Sequence, residues 1–97
     1  MLTQEQIDGF HKDGFTVCPG FLAPEAVTRL LDEAAEVIEG NTRAQHDGER
    51  MEMEPEQAAE GTAVRRMYEP CSYYPQARAL SEMTELLDNV EQLFGPN

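Results

Sequence analysis

Positive charge is scarce in this chain. Lys and Arg number 7 against 19 Asp and Glu, a formal net charge of −12 over 97 residues. This argues against nucleic acid as a partner, because its phosphates need a basic surface. It argues against docking on anionic lipid for the same reason. Long hydrophobic runs are missing as well: no stretch approaches the roughly 20 apolar residues of a membrane span. The start lacks the basic patch and apolar run of a signal peptide, with Thr3, Gln4, Glu5 and Gln6 in their place. Cysteine is rare. Cys18 and Cys71 lie far apart, form no C-x-x-C, and read as reduced thiols of a cytoplasmic protein. Gly-rich phosphate loops, G-x-S-x-G elbows and Cys-His pairs are all absent.

One internal absence divides the chain. Residues 41–62 contain no Leu, Ile, Val, Phe, Tyr or Trp, and carry six acidic residues against two arginines. Such a stretch buries too little to offset its ordering entropy, so the expectation is a long, mobile acidic loop with a frayed turn near Glu56 to Glu60. The domain reading is therefore 1–40 helix-strand-helix, 41–62 acidic loop, and 63–97 strand, turn and capped helix.

Helical signals flank the loop. Thr3 and Gln6 have capping-box spacing, Leu2 and Ile7 suit a hydrophobic staple, and Gly14 suits a C-cap, which predicts a helix from about Gln4 to Asp13. Phe15 and Val17 alternate against Thr16 as a short strand ended by Pro19-Gly20. Pro24 and Glu25 open a second helix, whose stripe is Val27, Leu30, Leu31, Ala34 and Ile38 and whose end is Gly40. Glu33, Glu36 and Glu39 lie off that stripe. Ala63 to Glu69 alternates as a strand, ended by Pro70, and a short helical turn follows at Pro75 to Leu80. Ser81 caps a last helix with Met83, Leu86, Leu87, Val90 and Phe94 as its stripe, Gly95 as a left-handed C-cap and Pro96 as a stop. One or two strands do not make a sheet that is stable alone, so these strands read as parts of a larger one.

Few groups could carry chemistry. His11 and Asp13 have the His-x-Asp spacing of a facial metal triad, with His46 as the nominal third ligand. Helical geometry turns His11 and Asp13 about 200° apart, and His46 falls in the loop, so no metal site is expected. The Glu49, Glu52, Glu54, Glu56 and Glu60 run lacks the order of a calcium loop and reads as a solvated face. Arg65, Arg66 and Tyr68 are left. Their planar guanidiniums suit a carboxylate or phosphate, and alternation sends the two arginines to opposite sides. The plainer alternative is an internal salt bridge to the surplus acids.

Two blocks carry a family likeness. "FHKDGFTVCPGFLAPEAVTRLLDEAAEVI" resembles the N-terminal part of the phytanoyl-CoA dioxygenase family: a helix, an Asp-Gly-Phe turn, a short strand and a long helix. "RRMYEPCSYYPQARALSEMTELLDNVEQLFGPN" resembles the part that follows, a strand with a basic residue, a Pro-flanked aromatic turn, and a helix closing in Leu-x-Gly-Pro. The resemblance implies an α+β fold, namely the N-terminal helical layer plus one or two strands of a double-stranded β-helix (jelly-roll). It implies Fe(II) and 2-oxoglutarate as cofactors of a complete member, which hydroxylates a small organic or acyl substrate. The family's His-x-Asp, distant His and 2-oxoglutarate Arg come after the Leu-x-Gly-Pro helix, so none maps onto this chain. The chain then reads as an N-terminal fragment, catalytically silent alone and prone to self-associate, with Arg66 and Tyr68 as the substrate-facing candidates. The alternative is a stand-alone small acidic binding module.

Overall fold

The computed structural model describes residues 1–96. Among them, five helices and one hairpin follow in the order α1 (Gln4–Asp13), α2 (Pro24–Ile38), β1 (Met51–Met53), β2 (Val64–Met67), α3 (Pro70–Tyr73), α4 (Pro75–Ser81) and α5 (Thr84–Phe94). The class is α+β, rich in helix, with one two-stranded antiparallel sheet among the described residues.

Helix α1 begins where its capping box places it. Thr3 Oγ1 accepts from the Gln6 N–H, and Gln6 Oε1 accepts from the Thr3 N–H. Two orphan donors are satisfied reciprocally. Gly14 ends the helix in the left-handed region at φ 85°, its N–H donating to the Phe10 carbonyl at 2.8 Å. The strand expected at Phe15 to Val17 does not form. That segment has no strand partner among the described residues, and Phe15 and Val17 are both 64% exposed. Alternation alone cannot supply the second strand a ladder needs.

Helix α2 starts at Pro24 and has Glu39 as its C-cap, one residue before Gly40. Between β2 and α3, Glu69 is a left-handed residue at φ 46° and the N-cap of α3. Ser81 does not cap α5: it lies at the end of α4, its hydroxyl donates to the Arg78 carbonyl, and Met83 is the α5 N-cap. Gly95 closes α5 at φ 85°, ψ 170°, a region open to glycine but outside the left-handed well expected of it.

The largest departure lies in 41–62, which contains β1. Methionine anchors this segment, which is therefore not a loop throughout: Met51 is 2% exposed and Met53 5%. With Leu2 they are the buried apolar residues of the described chain. Polar groups order the rest of the segment. The Gln57 amide donates to the carbonyls of Glu54 and Ala63 and accepts from the Ala63 N–H, bridging the base of the hairpin. Arg43 and Ala44 donate to the carbonyls of Gly61 and Ala59.

Packing elsewhere is pairwise. Phe10 of α1 meets Phe94 of α5 edge-on, ring centres 5.4 Å apart. Gln92 of α5 accepts from the Leu2 N–H at 2.9 Å. Helix α4 is held to α2 by Glu33, which accepts from the N–H groups of Gln76 and Ala77. The whole is elongated, 48 × 26 × 26 Å, with a radius of gyration of 16.8 Å. A closed domain of about 100 residues has a radius near 13 Å. Phe15, Val17, Leu31, Leu87 and Phe94 are all more than half exposed. These elements do not wrap a single core.

Candidate functional site

The hairpin gathers the chain's densest charge. Met51 pairs with Met67, Glu52 with Arg66 and Met53 with Val64, and a register shift falls between Glu52 and Met53. Arg65 is the extra residue of this β-bulge. A bulge sets two residues of one strand against one of its partner. That corrects the expectation that strict alternation sends Arg65 and Arg66 to opposite sides. Both reach Glu52: Arg66 Nε lies 2.9 Å from Oε2, and Arg65 Nη1 3.4 Å from Oε1.

Tyr68 completes the cluster. Its hydroxyl donates to Glu52 Oε2 at 3.1 Å, and the Arg66 guanidinium lies 6.0 Å from its ring centre. The bond from Tyr68 holds the Glu52 carboxyl below the usual glutamate range, with Arg66 and Arg65 adding to it against some desolvation. The same bond, with desolvation, raises the Tyr68 phenol above its ordinary value. Next to this group, Arg50 stacks on Tyr73, its guanidinium carbon 3.6 Å from the ring centre. Tyr68 N–H donates to the Arg50 carbonyl at 2.8 Å, which ties the two pairs together.

One face of the hairpin therefore carries Arg50, Glu52, Arg66 and Tyr68, and the other Met51, Met53 and Met67. Two guanidiniums meet one carboxylate, with a third on the neighbouring Tyr73 ring, in a chain that is acidic elsewhere. Arg65 and Arg66 keep 53% and 58% of their side chains exposed, so their remaining donors are open to an anion. Arg50 and Tyr73 were not singled out from the sequence, and Glu52 read only as part of a solvated acidic run. The available signal was the Met-Glu-Met alternation at 51–53, which marks a two-sided strand and sets Glu52 on its polar side.

The metal candidates do not converge. His11 is exposed on α1 with its ring edge-on to Phe10, and Asp13 ends the same helix. His46 Nδ1 lies 3.0 Å from the carbonyls of both Thr42 and Arg43. Among the described residues, no three His, Cys, Asp or Glu side chains are grouped to hold a metal. These residues do not fit an iron site. No helix among the described residues is long and apolar enough to cross a membrane.

Neither a curated protein nor a solved structure matches the chain. A family model does, over residues 10–96, from the last turn of α1 to the Gly-Pro that follows α5. It takes in both blocks that carry the likeness and the acidic segment between them. The chain belongs to the phytanoyl-CoA dioxygenase (PhyH) family.

Proposed function

We propose that these residues are the N-terminal part of an Fe(II)- and 2-oxoglutarate-dependent oxygenase that hydroxylates a small organic or acyl substrate in the cytoplasm. The family match over residues 10–96 carries this reading. The helices supply a layer that packs on the major sheet of a double-stranded β-helix, and the hairpin supplies outer strands. Uncovered apolar side chains at Phe15, Val17, Leu31, Leu87 and Phe94 are consistent with such a layer. They also make the isolated chain prone to self-associate, against the repulsion of its net charge of −12.

Arg66 and Tyr68 are the substrate-facing residues in this reading, their orientation fixed by Glu52. Iron and 2-oxoglutarate are held by residues outside this chain, because His11, Asp13 and His46 stand apart. The chain alone is then catalytically silent.

The reading frame beyond Asn97 provides the test. Continuation into a His-x-Asp motif supports the proposal, and the continued protein should release CO2 from 2-oxoglutarate with Fe(II). In that protein Arg66→Ala should raise the substrate KM more than it lowers kcat. A stop codon directly after Asn97, with a monomeric chain that melts cooperatively, supports a stand-alone acidic binding module instead.

A further inference from the structure

A cleft of about 300 Å³ runs between α2 and α4, on residues that the oxygenase reading does not use. Its volume is at the lower end of small-molecule pockets, roughly 300–1,000 Å³. Alanines make it. Ala26 of α2 and Ala79 of α4 line it where larger side chains would close the gap, and Leu22, Leu30 and Leu80 add apolar wall. Arg29 is the one charged residue in the lining. It forms no ion pair among the described residues, although Glu25 and Glu33 stand one turn before and one turn after it on α2. Glu33 is committed to the N–H groups of Gln76 and Ala77, which leaves the guanidinium open.

We infer that this cleft binds a small amphipathic carboxylate, its alkyl chain between the helices and its carboxylate on Arg29. Charge complementarity selects the head group: a planar guanidinium without a protein partner matches a carboxylate in a two-point hydrogen bond. The apolar lining selects the chain, since an all-polar anion would leave it wet. The net charge of −12 opposes any anion at long range. At about 0.15 M salt that repulsion is screened beyond roughly 8 Å, while contact with Arg29 is not.

The test is a titration of the whole chain with decanoate, followed by calorimetry and by amide NMR. Saturable one-to-one binding is expected, with shifts concentrated in α2 and α4. Decanol and decylammonium, which lack the carboxylate, should bind at least ten-fold more weakly. Arg29→Glu should weaken decanoate at least ten-fold with unchanged circular dichroism, and Arg43→Glu should not. Ala79→Leu, which fills the cleft, should block binding. Equal affinity for decanol, indifference to Arg29→Glu, or shifts spread over the exposed Leu87 and Phe94 face would overturn the assignment. So would absence of saturation below the micellar range. Because Arg29 is exposed, Arg29→Glu still separates these outcomes even if Ala79→Leu disturbs folding.

Discussion

The Glu33 carboxylate of α2 accepts the Gln76 N–H of α4 at 2.8 Å, across 43 positions of sequence. Its other oxygen accepts from the Ala77 N–H at 3.1 Å. Tyr74, at the N-cap of α4, gives no side-chain cap, so Glu33 caps the helix from a distance. The bond joins two helices far apart in sequence.

Glu33→Ala should therefore cost about 0.5–2 kcal/mol, the range for loss of an N-terminal cap. Glu33→Gln keeps one acceptor oxygen and should cost less. Urea unfolding followed by circular dichroism measures both. Equal stability of Glu33→Ala and the parent chain would show that α4 docks without this cap.

The buried methionines should dominate the hairpin. Met51 is almost fully buried, and truncating a buried Met to Ala costs about 2–5 kcal/mol. For so small a sheet that is enough to open it. Met51→Ala should lose the slow-exchanging amides of β1 and β2 while α1 and α5 keep theirs, and Met1→Ala, at an exposed site, should change neither. Hydrogen exchange by NMR reads the difference.

The Glu52 cluster makes the hairpin sensitive to pH at both ends. A carboxyl whose folded pKa is lowered adds stability above its unfolded pKa, and that stability is lost as pH falls through the folded value. The raised phenol of Tyr68 works in reverse: its contribution is present below the unfolded value and is lost as pH rises through the folded one. Tyr68→Phe removes the main cause of the Glu52 shift, so the Glu52 carboxyl signal should titrate at higher pH in that variant. A carbon-detected NMR titration that finds no movement would assign the shift to the arginines alone.

Tyr74 should tolerate loss of its hydroxyl. That oxygen is buried and has no hydrogen-bond partner among the described residues. Leaving such a group unpaired costs about 1–3 kcal/mol. Tyr74→Phe should leave stability unchanged or raise it by up to about that amount. A clear loss in thermal melts would mean that an ordered water satisfies the hydroxyl.

Trypsin should cut at Arg43 first. Arg43 is exposed in the acidic segment, whereas Arg50 stacks on Tyr73 and accepts a ladder bond from Tyr68. Mass spectrometry of a short digest should show Arg43 cleavage ahead of Arg50 and of Arg29 within α2. Early cleavage at Arg29 would reverse this order of protection.

Local signals determined the first two helices. Thr3, Gln6 and Gly14 fix α1, and Pro24 with the Val27 to Ile38 stripe fixes α2, because caps and 3.6-residue periodicity act within a few neighbouring residues. The family was legible too, since its likeness lies in the order of local blocks. Only the tertiary structure decided the rest. Met51 and Met53 became a strand because Met67 and Val64 came to face them, and Phe15 to Val17 did not because no partner did among the described residues. Arg65 and Arg66 share Glu52 through a bulge, which is a property of two strands in register and of neither alone. Glu33 reads as one more acid on a polar face until α4 brings two unpaired N–H groups against it. Pairing, register and long-range capping depend on which segments meet, and that is set by the summed packing of the chain rather than by any stretch of it.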